Sequence, residues 1–221
     1  MIVRVGMLAV ALIVGAASVG SAQPKEPLPR VVADLRAASA GLTTGLGWTP
    51  AVPQGTLLPG RGLGFDVGGH VYVATLPFGA LGVGSTFLMA RGTAAPPGPT
   101  SSTPAVTALP EVQTRLASIV PQVSVNFGHR LGWSYISGGL GRTRVRSEVA
   151  EPLAGTVIAP AESSWVRTLN YGAGARWFIN DHVAFTVDLR WFKVSAVEAT
   201  STRGALSKQS LITASAGIAF K

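Results

Sequence analysis

The chain has 221 residues, no cysteine, 27 glycines, 15 prolines, 13% charged residues and a formal charge of +8 at pH 7. That length suits one ordinary domain or one barrel, with enough chain to bury a core, and the absence of cysteine excludes a disulfide scaffold and thiolate metal or redox chemistry. A mean hydropathy of +0.38 is the opposite of the low hydrophobicity and high charge that keep a chain disordered.

The chain opens with MIVRVGMLAVALIVGAASVGSAQ. Arg4 supplies a short positive segment, Val5 to Ala17 an apolar one, and Gly20, Ser21 and Ala22 a small-residue cleavage site, which is the order of a secretory signal. The competing reading is an uncleaved membrane anchor, but the stretch from Val5 to Gly20 falls short of the roughly 20 apolar residues that a spanning helix needs. No later uninterrupted apolar run approaches that length. Any further insertion into a membrane would therefore use strands, because only helices and closed barrels satisfy their backbone groups in lipid.

From Arg30 to Ala40, Val31, Ala33, Leu35 and Ala37 alternate with Asp34 and Arg36; a strand and a short amphipathic helix both fit. Period-two alternation, the signature of a half-buried strand, then recurs along the chain. Leu63, Phe65, Val67, Val71 and Val73 oppose Asp66, His70 and Tyr72; Leu81, Val83, Phe87 and Met89 oppose Gly82, Gly84 and Thr86. Ile119, Val123, Val125 and Phe127 oppose Gln122, Ser124 and Asn126. The stretch from Trp133 to Arg146 alternates less cleanly, since Ile136 and Leu140 share a face with Arg142, Arg144 and Arg146. Trp165 to Ile179 and His182 to Ala196 form the clearest pair, joined by a tight turn at Asn180 and Asp181. Lys208 to Phe220 closes the series, with Ile212, Ala214, Ala216, Ile218 and Phe220 opposite Thr213, Ser215 and Gly217.

Eight strands result, and their connections alternate in length: 41–60, 76–77, 92–113, 129–131, 148–163, 180–181 and 198–207. Short turns at one end, long loops at the other and an even strand number are the rhythm of outer-membrane barrels. The long gaps are rich in Gly, Pro, Ser and Thr, as solvated loops are. A soluble sandwich or barrel would need its apolar faces inside and has less reason to keep every second connection short.

NYGAGARWFINDHVAFTVDLRWFKV (Asn170 to Val194) and NFGHRLGWSYISGGLG (Asn126 to Gly141) resemble hairpins of the small outer-membrane β-barrel superfamily of OmpA-like and opacity-type proteins. The resemblance implies an all-β fold, an eight-stranded antiparallel up-and-down transmembrane barrel with short periplasmic turns and long extracellular loops, in the outer membrane of a Gram-negative-type bacterium. The expected organisation is a signal peptide over 1–22, a periplasmic segment over 23–29 and the barrel domain over 30–221. The last strand is similar to the superfamily's C-terminal assembly signal, which is read by the barrel assembly machinery, although Phe220 is penultimate and Lys221 follows it. With the N-terminus in the periplasm, Trp133 and Trp177 fall near the periplasmic turns and Trp165 and Trp191 toward the outside, as two aromatic girdles would.

The inward faces are expected to carry Asp34, Arg36, Asp66, His70, Tyr72, Arg142, Arg144, Arg176, Asp188 and Arg190. An eight-stranded barrel is just wide enough for side chains to fill it, so these charges must pair or keep water. They read as a structural network, with a narrow conducting path as the alternative. A second basic set lies toward the outer rim: Arg91, Arg115, Arg142, Arg144, Arg146, Arg167, Lys193, Arg203 and Lys208, against Glu111, Glu148, Glu151, Glu162 and Glu198. Lys and Arg suit phosphate, so this rim is a candidate contact for lipopolysaccharide, with ordinary solvated loop charge as the bland reading.

The basic pI of 10.8 does not imply a nucleic-acid partner in an exported chain with sparse charge and no nucleic-acid fold pattern. His70, His129 and His182 are far apart in sequence, and neither HExxH nor GxSxG occurs, so catalytic, cofactor and metal residues are expected to be none. The expected role is a monomeric outer-membrane barrel with a structural or surface-interaction function. A small pore, a barrel-embedded lipid-modifying enzyme and a soluble periplasmic barrel binding an apolar ligand are the alternatives.

Overall fold

The computed structural model describes residues 31–43, 61–94, 112–129, 132–149, 161–162, 164–196 and 208–221. The expected signal peptide, the 23–29 segment, Arg203, Glu111, Glu151 and Glu198 lie outside them. Eight long strands are present: β1 (Val31–Thr43), β2 (Arg61–Leu76), β3 (Gly79–Ala94), β4 (Val112–His129), β5 (Gly132–Val149), β7 (Val166–Phe178), β8 (Val183–Val194) and β9 (Gln209–Phe220). A two-residue strand, β6 (Ala161–Glu162), adds to β5 beside Arg146 and Ser147. Every pairing is antiparallel between successive long strands, and β1 pairs with β9, so the sheet closes on itself as an up-and-down barrel. Closure removes the free sheet edges.

The segment that fitted a strand or a helix is a strand. In β1, Val32, Asp34, Arg36 and Ala38 are buried while Val31, Ala33, Leu35 and Ala37 are exposed, and both edges of the strand are needed to join β2 to β9. Short connections lie at 77–78, 130–131 and 179–182, and long ones separate the other consecutive long strands. In the 179–182 turn the Asn180 side-chain oxygen accepts hydrogen bonds from the backbone N–H of His182 (2.8 Å) and Val183 (2.9 Å), the local bonding that suits Asn to a turn.

The barrel is apolar outside and charged inside. Val67, Val123, Ile136, Phe185 and Ile218 are among the large hydrophobic residues exposed on its outer wall, whereas Arg36, Arg176 and Arg190 are its largest fully buried side chains. The interior is layered. Toward the long-loop end, Ala38, Leu88, Val120, Val166, Phe192, Val194 and Leu211 form one apolar cluster, with Leu116 against it. Toward the short-turn end, Val32, Ala184 and Ala219 form a second, packed by Tyr72 and Phe178. The charged groups lie between these two closures.

Candidate functional site

Three arginines and three aspartates occupy the middle layer, so their formal charges cancel. Arg176 on β7 is bidentate to Asp34 on β1, through Nε to Oδ1 at 2.8 Å and Nη2 to Oδ2 at 2.6 Å. Arg36 donates from Nε to Asp66 Oδ1 at 2.8 Å, and its Nη2 also bonds that oxygen. Arg190 pairs with Asp188 on its own strand, Nε to Oδ1 at 2.6 Å and Nη2 to Oδ2 at 3.1 Å. Bidentate guanidinium–carboxylate pairs suit such a dry site because they add geometric fit to charge compensation.

Tyr135 on β5 ties the pairs together. Its hydroxyl donates to Asp188 Oδ2 at 2.5 Å and accepts from Arg36 Nη1 at 2.9 Å, while Arg176 lies 4.3 Å from its ring centroid. Gly174 makes room for this ring: a Cβ there would stand 2.4 Å from Tyr135 Oη. Amides complete the layer. Arg190 Nη1 donates to Gln122 Oε1 (2.5 Å) and Asn170 Oδ1 (2.9 Å), and Gln122 Nε2 donates to Thr86 Oγ1 (2.7 Å) and lies 3.0 Å from His70 Nε2. Tyr72 Oη donates to Asn126 Oδ1 at 3.2 Å. Of the buried side-chain atoms among the described residues, His70 Nδ1, Ser137 Oγ and Thr186 Oγ1 are left without a hydrogen-bond partner, and Asp188 Oδ1 and Arg190 Nε meet each other as an ion pair without hydrogen-bond geometry.

The structure thus brings Asp34, Arg36, Asp66, His70, Tyr72, Arg176, Asp188 and Arg190 to the interior. Arg142 and Arg144 correct the sequence-based assignment: both are exposed on the outer wall, alternating with buried Thr143 and Val145. Their parity is that of Ile136 and Leu140, which also point outward. Residues on the other parity, Tyr135 and Ser137, face inward, so the strand that alternated least cleanly hid the residue at the centre of the network. A charge can face out here because Arg142 stands level with the first residues of β7, opposite Arg167, and Arg144 lies beyond it.

Trp133 is the second correction. It shares the inward parity of Tyr135 and packs edge-on against Tyr72 (centroids 5.4 Å apart) and Phe178 (5.6 Å), which makes it part of the closure at the short-turn end rather than of an outer girdle. Trp177 and Trp165 are exposed on the outer wall. Trp177 stacks on Phe185 toward the short turns, and Trp191 stacks on Tyr171 toward the long loops. Phe220 is outward and exposed, paired in register with Ala33 and Val183.

Outward cations gather at the long-loop end of the wall. Arg91, Arg115 and Arg146 stand in one cross-strand row, and Arg142 faces Arg167 in another. Arg115 and Arg146 both pair with Glu148, at 3.3 and 3.4 Å. Lys193 lies 5.7 Å from the Tyr171 ring, and Lys208 is exposed. Among the described residues no group of three His, Cys, Asp or Glu side chains could hold a metal ion.

These features define a closed, inside-out, eight-stranded antiparallel barrel, and its fold is found in a solved protein. Neisserial surface protein A superposes with a TM-score of 0.58 at 13% identity, covering 87% of this chain and 97% of that one. Two other structures agree less closely, each with a TM-score of 0.48. Ail, the attachment invasion locus protein of Yersinia pestis, is 13% identical and covers 86% of this chain and 95% of its own. The outer membrane protein OprG from Pseudomonas aeruginosa is 12% identical and covers 86% and 93%. At such identities the likeness is one of fold. No family model and no curated protein matches the sequence.

Proposed function

We propose that this chain is an exported outer-membrane protein, a sealed barrel with a structural or surface-interaction role that contacts lipopolysaccharide through its basic rim. The carrying observation is the distribution of charge. Three aspartates and three arginines are buried inside while large hydrophobic residues cover the outer wall, an arrangement that water would penalise and lipid favours. On the outward faces of the strands, the described cations stand toward the long-loop end, above the apolar band. In this reading the long loops are extracellular, the 1–22 segment is a cleaved signal and the final strand carries the assembly signal.

The same interior argues against two of the alternatives, the pore and the soluble ligand-binding barrel. A conducting path would have to cross both apolar closures, and an internal apolar ligand would meet buried charge. The test is to isolate outer membranes from cells expressing the full chain, compare heated and unheated samples on SDS gels, and reconstitute the protein in planar bilayers. A heat-modifiable band in the outer-membrane fraction with conductance at the bilayer baseline supports the reading. Soluble periplasmic protein, or steady channel steps, contradicts it.

A further inference from the structure

The rim cations are not equivalent, and the difference locates a site. Arg115 and Arg146 share Glu148, so that row is already partly neutralised by the protein. Arg142 and Arg167 are direct cross-strand partners on β5 and β7, both exposed on the outer wall, and no described acid pairs with either. Like charges placed opposite one another destabilise a sheet unless an anion sits between them.

The surroundings give that anion a shape. Trp165, on the same outward parity two residues before Arg167, exposes 42% of its surface. Toward the middle of the barrel, Leu140 faces Leu169 in the register, and Ile119 faces Arg142; all three are exposed apolar side chains. An aromatic face suited to a sugar ring, two guanidinium groups suited to phosphate and an apolar strip suited to acyl chains thus follow one another down a single wall.

We infer that Arg142 and Arg167 form a two-guanidinium clamp for one phosphate of a phosphorylated glucosamine lipid, the lipid A part of lipopolysaccharide, with its sugar against Trp165 and an acyl chain along Leu140 and Leu169. This rests on the lipopolysaccharide reading above and narrows it to one phosphate and one pair of strands.

The test is native mass spectrometry of the full chain in detergent micelles, titrated with bis-phosphorylated lipid A. Arg142→Gln/Arg167→Gln is compared with Arg115→Gln/Arg146→Gln, which removes the same charge from the same rim. Heat-modifiable mobility checks that each variant is folded, and Arg142→Lys/Arg167→Lys keeps the charge while losing the planar fork. The clamp predicts a loss of about tenfold or more for the first pair, given the strength of charge-assisted hydrogen bonds, and about threefold or less for the second. The lysine pair falls between, and dephosphorylated lipid A binds the unaltered chain about as weakly as lipid A binds the glutamine pair. Equal losses for the two glutamine pairs overturn the clamp and leave a diffuse basic rim. No loss in either overturns the lipopolysaccharide contact as well. Equal competition by phosphatidylglycerol overturns the glycolipid assignment.

Discussion

Arg176 and Asp34, on strands β7 and β1, meet across the barrel through two hydrogen bonds of 2.8 and 2.6 Å with both side chains fully buried. The pair links the first strand to one that enters the barrel much later in the chain, so it can form only once the wall has curved round. Neutralising one partner leaves the other as a buried charge without its counter-ion. Asp34→Asn is therefore expected to lower stability by about 3–5 kcal/mol, whereas an apolar pair such as Asp34→Leu with Arg176→Met recovers much of that loss. Urea midpoints of the refolded protein in lipid check both, with heat-modifiable mobility as the measure of folding.

Gly174 is a steric requirement of the network. A methyl group there would lie 2.4 Å from Tyr135 Oη and 2.6 Å from the Val187 carbonyl oxygen, so Tyr135 must leave Asp188 or the wall must bend. Gly174→Ala should cost about 1–3 kcal/mol, the usual range for overpacking. In a double-mutant cycle, Tyr135→Leu should cost less in the Gly174→Ala background than in the unaltered protein. Additive losses would mean that the two residues are not coupled.

Phe192 belongs to the apolar closure at the long-loop end and is 2% exposed. Phe192→Ala should lower stability by about 3–5 kcal/mol through lost packing and the cavity left behind. A change below about 1 kcal/mol in the urea midpoint analysis would show that the closure is loosely packed.

Much of this fold is legible in the sequence because barrel strands repeat a period of two, and short turns announce themselves at Asn180 and Asp181. The interior is legible where charge and apolar residues alternate strictly, as at Asp34 and Arg36 or Asp188 and Arg190. It fails in β5, where charge is assigned inward although Arg142 and Arg144 share the parity of Leu140. Level with the start of β7 a guanidinium can face outward beyond the apolar Leu140 and Leu169, so residue type alone does not choose the face; parity does. Tyr135 is missed for the same reason, and Trp133 is placed in a girdle by residue type and height when its parity turns it inward. The partners within the network depend on how far the strands shear around the barrel, which no local stretch encodes.

The tryptophans offer a separate check. In single-tryptophan variants reconstituted with brominated lipids, Trp177 and Trp191 should be quenched, while Trp133, packed between Tyr72 and Phe178, should be protected. Equal quenching of all three would return Trp133 to the outer wall.

The central claim is that a membrane surrounds a wall whose apolar side faces out. The absence of cysteine allows it to be read directly, one spin-labelled cysteine at a time along β8 from Val183 to Val194 in lipid bilayers. Collision with oxygen, which concentrates in lipid, and with a water-soluble nickel chelate would be measured at each position. The account predicts oxygen accessibility with a period of two, high at Phe185, Val187 and Leu189, low at Ala184, Thr186 and Asp188, and little nickel access on either face. Strong nickel access at Phe185, Val187 and Leu189 would put the apolar wall in water and contradict it.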